Sequence, residues 1–182
     1  MSKELIKILI VDDHPTMIEG YKSILYSYYS PDNLSITSVH SCETAYLYIT
    51  KINQPLDLIL LDLALPPYEP AKLFSGEDLA VLIQKIWKKT KIMMLTSHTE
   101  AFILYNLIKK INPEALLIKS DFISDEFLKA FESALQGQTY YSQTAQQSIK
   151  EVGANHFGLD SYDRRIISLL AKGIKTRNLP EH

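Results

Sequence analysis

Along its first 136 residues the chain alternates between two textures of apolar placement. Short runs rich in Ile, Leu and Val occur at Lys7–Val11, Ile36–Val39, Leu56–Leu61, Lys91–Leu95 and Ala115–Ile118. Apolar runs without polar alternation suit strands covered on both faces, as a parallel sheet requires. Longer segments with helical spacing lie between them. Met17, Ile18, Tyr21, Leu25 and Tyr28 align as one stripe, and Leu79, Leu82, Ile83 and Ile86 as a second. Phe127, Leu128, Phe131 and Leu135 form a third. Five strand–helix pairs in alternation predict a doubly wound α/β fold, with a five-stranded parallel sheet and right-handed crossovers. In such sheets the ligand site lies beyond the carboxyl ends of the strands, which says where to look for chemistry.

After this domain (1–137) the texture changes. Gly137 is expected to stop the last helix, and 138–158 reads as a polar interdomain linker with a helix around Thr144–Val152. A final helical segment runs from about Tyr162 to Lys172, with Gly173 as its C-cap, inside a third region, 159–182.

Composition narrows the class. With 182 residues, 46% hydrophobic and 22% charged, the chain has the balance of a soluble globular protein. Its longest apolar runs fall far short of the ~20 residues of a membrane span, and no signal peptide precedes the first strand, so a cytoplasmic, non-membrane protein is expected. The single cysteine, Cys42, excludes an internal disulfide. A net charge of −2 does not advertise nucleic-acid binding, although Arg164, Arg165, Lys172, Lys175 and Arg177 give the C-terminal end a basic bias. Taken alone, that bias is more often a solvated helix face.

Polar residues close the predicted strands in a consistent set: Asp12 and Asp13, Asp62, Thr96 and Lys119. On a doubly wound sheet these converge on one edge. Three carboxylates held together repel one another unless a cation sits among them, and an oxygen-rich site with few ligands favours Mg²⁺. A threonine hydroxyl and a lysine ammonium opposite that ion complement an incoming phosphoryl group. The set therefore reads as a Mg²⁺-assisted phosphoryl acceptor with Asp62 as nucleophile. Each residue also has a plainer use. Asp13 before Pro15 suits a helix start with a capping aspartate, Asp62 can simply end a strand, Thr96 can cap the next helix, and Lys119 can be a solvated loop charge. Their coincidence at four strand ends favours the functional reading.

The segments themselves resemble a known family. Ile8-Leu9-Ile10-Val11-Asp12-Asp13-His14-Pro15 looks like the start of a bacterial response-regulator receiver domain of the NarL/LuxR type. Asp57 to Pro66 resembles the phosphoacceptor strand and loop, while Met94-Leu95-Thr96-Ser97 and Leu117-Ile118-Lys119-Ser120 resemble the family's Thr and Lys segments. Gln136 to Ser142 is similar to the stretch that leaves the receiver in this subfamily. The resemblance implies a flavodoxin-like receiver fold in a two-component system. It implies that a sensor histidine kinase phosphorylates Asp62 and that Mg²⁺ is held by Asp13, Asp62 and the Ala64 carbonyl, with Asp12 acting largely through metal-bound water. Thr96 would bind the phosphoryl group and shift with it, and Lys119 would pair with it. His98, two positions beyond Thr96, would border the acyl phosphate; His14, His40, His156 and His182 have no metal-ligand spacing and read as structural or exposed.

Two departures stand out. The family usually has an aromatic residue where this chain has Leu116, so the usual coupling of threonine to an aromatic rotamer is in doubt. The loop after Pro66 carries an insertion, Pro67-Tyr68-Glu69-Pro70-Ala71-Lys72-Leu73-Phe74-Ser75, before Gly76. It either shields the acyl phosphate and shapes kinase docking or is a tolerated surface insertion.

Region 159–182 is similar to the first helix and turn of a LuxR-type helix-turn-helix and stops before the recognition helix. A truncated DNA-binding segment is expected, with DNA a partner of the full-length protein and not of this chain; a second copy of the chain is a further candidate partner. Turnover of a separate substrate is not expected. The competing class is a phosphorylation-independent interaction module that keeps the fold after the switch has decayed. A phosphatase of the haloacid dehalogenase type needs an Asp-x-Asp pair, whereas Asp12 and Asp13 are adjacent. Hydrolase elbows and nucleotide-binding glycine loops are missing from the sequence.

Overall fold

The computed structural model describes residues 5–52, 54–121 and 123–154. The described part divides after Leu95 into two compact units. The 159–182 segment lies outside the described residues.

The first unit contains β1 (Ile6–Val11), α1 (Pro15–Tyr28), β2 (Leu34–Val39), α2 (Cys42–Lys51), β3 (Leu58–Asp62), α3 (Gly76–Ile86) and most of β4 (Lys91–Thr96). Its strands run in the order β2-β1-β3-β4 and every ladder is parallel. Every residue of β3 and the last four of β1 are buried, as uninterrupted apolar runs demand of central strands. The α1 stripe buries Ile18, Tyr21 and Leu25, but Tyr28 is 62% exposed. The helix ends there and Tyr29 turns extended, so the last residue of the expected stripe has no sheet beneath it. Ile86, last of the α3 stripe, is exposed for the same positional reason, while Leu79 and Ile83 are fully buried. Ser41 starts α2 through a reciprocal capping box with Thr44.

The second unit contains α4 (Ala101–Ile111), β5 (Ala115–Ile118), α5 (Ser124–Leu135), β6 (Tyr140–Tyr141) and α6 (Gln143–Ala154). Asn112, in the left-handed region at φ 49°, ends α4, and Gly137 at φ 72° turns the chain after α5, as its place in the sequence predicts. Phe127, Leu128 and Phe131 of α5 are buried.

Among the described residues six strands are present where the sequence pattern predicts five. The addition is β6, which pairs with β5 in parallel (Ala115↔Tyr140, Leu116↔Tyr141) inside the stretch read as a linker. Two residues are too few for any periodicity to show, and the polar Gln138 and Thr139 before them look like loop. The helix expected around Thr144–Val152 is α6, and it is no free connector: Ala145, Ile149 and Val152 are wholly buried and the helix packs on α4 and β5. Among the described residues no helix is long and apolar enough to cross a membrane.

If α6 is part of this unit's core, Ile149→Ala should destabilise it by about 2–4 kcal/mol, the usual range for emptying a buried aliphatic site. Urea unfolding of the full chain measures this; a midpoint equal to that of the unsubstituted protein contradicts the packing described.

Candidate functional site

The parallel register of β1 and β3 pairs Val11 with Leu61. The next residues in each chain, Asp12 and Asp62, therefore leave the two central strands side by side. Asp12 is wholly buried and Asp62 is 2% exposed. Buried carboxylates need donors or cations. Asp12 Oδ1 accepts the His14 backbone N–H at 2.9 Å, and Oδ2 accepts the Tyr21 hydroxyl at 3.5 Å. Asp62 Oδ1 accepts the Ala64 N–H at 3.3 Å. Asp13 is more open, yet its Oδ1 is buried with no hydrogen-bond donor. Burial first, then the charges of Asp12 and Asp62, and last the bond to Asp12 push the Tyr21 hydroxyl far above its ordinary titration range. This tyrosine stays a neutral donor at the edge of a negative corner.

Carboxylate oxygens of Asp12, Asp13 and Asp62 and the Nδ1 of His14 all lie within 4.8 Å of one another. Three oxygens at this spacing fit a hard divalent cation. His14, read from sequence as structural or exposed, belongs to this cluster. Sequence spacing gave no metal pattern because the other donors come from a different strand and from the two residues before it.

Some plainer alternatives fall away. Asp13 does not cap α1: His14 is the N-cap, no side chain caps the helix, and only Pro15 takes its expected place in the first turn. Thr96 does not cap α4, whose N-cap is Glu100. The Thr96 side chain is buried, and its Oγ1 accepts the His98 N–H at 3.0 Å. The Lys119 N–H donates to the Thr96 carbonyl at 2.7 Å, which fixes the two residues side by side. Thus Asp12, Asp13 and Asp62 form one group and Thr96 and Lys119 another. His98 points its Nδ1 at Glu100 Oε2, 3.1 Å away. Backbone hydrogen bonding at Glu100 and the His98 contact hold the Glu100 carboxyl below its usual range. Leu116 is wholly buried and paired with Tyr141, so no aromatic ring occupies that strand position.

The loop insertion is an ordered arch. Tyr68 and Leu73 bridge across it, a 3-10 turn spans Glu69–Ala71, and Lys72 takes a left-handed conformation. The Tyr68 ring lies tilted at 44° against that of Tyr46 of α2, with centroids 5.6 Å apart, and the Cys42 N–H donates to the Pro66 carbonyl. The arch returns through Gly76, whose N–H donates to the Leu63 carbonyl at 2.9 Å. A Cβ at Gly76 would collide with the Asp62 carbonyl oxygen, so the close approach itself requires glycine. Burial, then the charge of Asp78, push the Cys42 thiol up to about 11.

Two outcomes follow from this packing. Gly76→Ala should cost about 1–3 kcal/mol, because backbone rather than a flexible side chain must yield; thermal melting checks it, and an unchanged midpoint contradicts the contact. Cys42 should resist Ellman's reagent at pH 8 in the folded protein and react on unfolding. Because its folded value is raised, folded-state stability should fall as pH climbs from the ordinary thiol range towards 11.

Residues 8–120 match the family described as Response regulator receiver domain. Transcriptional regulatory protein MctR of Rhizobium johnstonii is 22% identical over 178 residues, covering 97% of this chain and 78% of that protein. Among solved structures, a LuxR-family two-component response regulator from Aurantimonas sp. SI85-9A1 is similar with a TM-score of 0.65 at 22% identity, over 84% of this chain and 100% of that one. RcsB from Salmonella enterica serovar Typhimurium, bound to promoter rprA in the presence of the phosphomimetic BeF3−, is similar with a TM-score of 0.64 at 19% identity, over 93% of this chain and 79% of that one. At these identities the two structures establish the fold, a flavodoxin-like α/β receiver with parallel strands. With more than half its length matched, and Asp12, Asp13, Asp62, Thr96 and Lys119 all inside the matched span, this chain belongs to the response regulator receiver domain family.

Proposed function

We propose that the chain is the phosphorylation switch of a two-component transcriptional regulator. The observation that carries this reading is the convergence of the Asp12, Asp13 and Asp62 carboxylates within 4.8 Å at the carboxyl ends of adjacent strands. In the reaction, an Asp62 carboxylate oxygen attacks the phosphorus of a phosphohistidine on a sensor kinase. A P–O bond forms, the P–N bond breaks, and the kinase imidazole departs, taking up a proton. Asp13, Asp62 and the Ala64 carbonyl would hold Mg²⁺, with Asp12 reaching it through water. When bound, the ion offsets the repulsion between the carboxylates and the incoming phosphoryl oxygens.

The protein's own groups do the rest. Tyr21 and the His14 N–H orient the Asp12 carboxylate, and the Ala64 N–H orients that of Asp62. As the family resemblance implies, the Thr96 hydroxyl, which accepts the His98 N–H, would donate to the acyl phosphate, and the Lys119 ammonium would pair with the added charge. Pulling Thr96 inward shifts the chain leading into α4, and α6 packs on α4. A local charge change thereby reaches the segment that leads towards the C-terminal region. The receiver turns over no separate substrate. It acts in the cytoplasm, with regulation of transcription through DNA as its output and pairing of two copies a further one.

One observation favours the second reading, a phosphorylation-independent module: buried Leu116 removes the aromatic partner of Thr96. Beryllofluoride separates the two. With Mg²⁺, the switch should bind it one-to-one, with changes at Thr96 and Lys119 in NMR spectra, and Asp62→Asn should abolish the effect. Spectra unmoved by beryllofluoride in the unsubstituted chain would overturn the switch and leave the module.

A further inference from the structure

His14 is the one member of the acidic corner that phosphoryl transfer, as read above, leaves without a side-chain role. Its position is tightly set. Pro15 keeps its backbone extended, and its N–H is tied to Asp12 Oδ1. The side chain is 65% exposed, yet it folds back so that Nδ1 lies 2.7 Å from Asp13 Oδ1 and 3.4 Å from Asp12 Oδ1. With a charged imidazole the 2.7 Å approach to Asp13 is an ion pair; with a neutral one, Nδ1 stands among the carboxylate oxygens of Asp12, Asp13 and Asp62, all within 4.8 Å, as a neighbouring ligand on one ion would. Adjacent ligands of an octahedral cation with bonds of about 2.1 Å stand about 3 Å apart.

Imidazole nitrogen is a poor partner for Mg²⁺ and a good one for first-row transition ions. We propose that His14 Nδ1 is an additional cation ligand, so that the corner serves Mg²⁺ through oxygen ligands alone and binds Mn²⁺, Co²⁺ and Ni²⁺ more tightly through the imidazole. The inference rests on the cation-dependent phosphoacceptor reading and adds which ions can occupy the site and why. It makes His14 a selectivity residue: the state of the switch would depend on transition-ion supply as well as on the kinase.

Pulsed EPR of Mn²⁺ bound to the full chain tests this without reference to phosphotransfer. The unsubstituted protein should show ¹⁴N modulation from a directly bound imidazole, and His14→Ala should lose it. His40→Ala should keep it, since the His40 Nδ1 is occupied at the Asp12 carbonyl, 3.2 Å away. By calorimetry His14→Ala should weaken Ni²⁺ and Mn²⁺ about tenfold or more and leave Mg²⁺ within about twofold. Bound Mn²⁺ without nitrogen modulation, modulation that survives His14→Ala, or equal losses for Mg²⁺ and Mn²⁺ would each overturn the assignment. If Mg²⁺-dependent beryllofluoride binding persists in those cases, only the role of His14 falls. Failure of every divalent ion to bind would remove the phosphoacceptor reading as well.

Discussion

The electrostatic cost of gathering three carboxylates is the constraint on which this site depends. A pair of like charges about 4 Å apart at an effective dielectric of about 20 repels by about 4 kcal/mol. A hydrogen bond to a charged group returns about 1.5–3 kcal/mol. The donors seen on Asp12 and Asp62 offset part of that repulsion, while Asp13 Oδ1 has no hydrogen-bond donor and meets only the His14 imidazole at 2.7 Å. A divalent cation acts on all three groups at once, which no single hydrogen bond does. The arrangement is one that a divalent cation would stabilise, and the strands hold the three groups together.

The backbone enforces that state. Because β1 and β3 pair in a register that sets Val11 beside Leu61, Asp12 and Asp62 cannot separate without a slip of the ladder. Such a slip would turn every side chain of a fully buried strand to the opposite face. Gly76 adds a second restraint by packing its α-carbon against the Asp62 carbonyl, and the arch of the 67–75 insertion runs into that contact. The insertion is thus tied to the strand end that carries Asp62. It is also tied to α2, through the tilted contact of the Tyr46 and Tyr68 rings and the Cys42–Pro66 bond.

Much of this was legible in the residues themselves. Uninterrupted runs such as Leu58–Leu61 mark central strands, and the aspartates that close two of them, Asp12 and Asp62, mark the corner where carboxylates gather. Features set by tertiary packing were not. Strand β6 is too short for a period, and its place is fixed by the Tyr140 and Ser142 N–H groups bonding to the carbonyls of Glu114 and Leu116. Tyr28 matched the helical spacing but lies past the point where α1 covers the sheet. Tyr21 scored as an apolar stripe residue, and nothing in its spacing revealed that its hydroxyl meets Asp12. His14 is exposed, as its reading from sequence expected, but its approach to Asp13 could not be seen in residue spacing.

Repulsion balanced by a cation makes a direct thermodynamic demand. The decisive measurement is the thermal midpoint of the unsubstituted chain and of Asp13→Asn, each with and without Mg²⁺. Without the ion, removal of one charge should raise the midpoint; Mg²⁺ should then raise that of the unsubstituted chain by ligand linkage and leave the variant nearly unmoved. An ion-free variant less stable than its parent, together with a parent indifferent to Mg²⁺, would contradict the account.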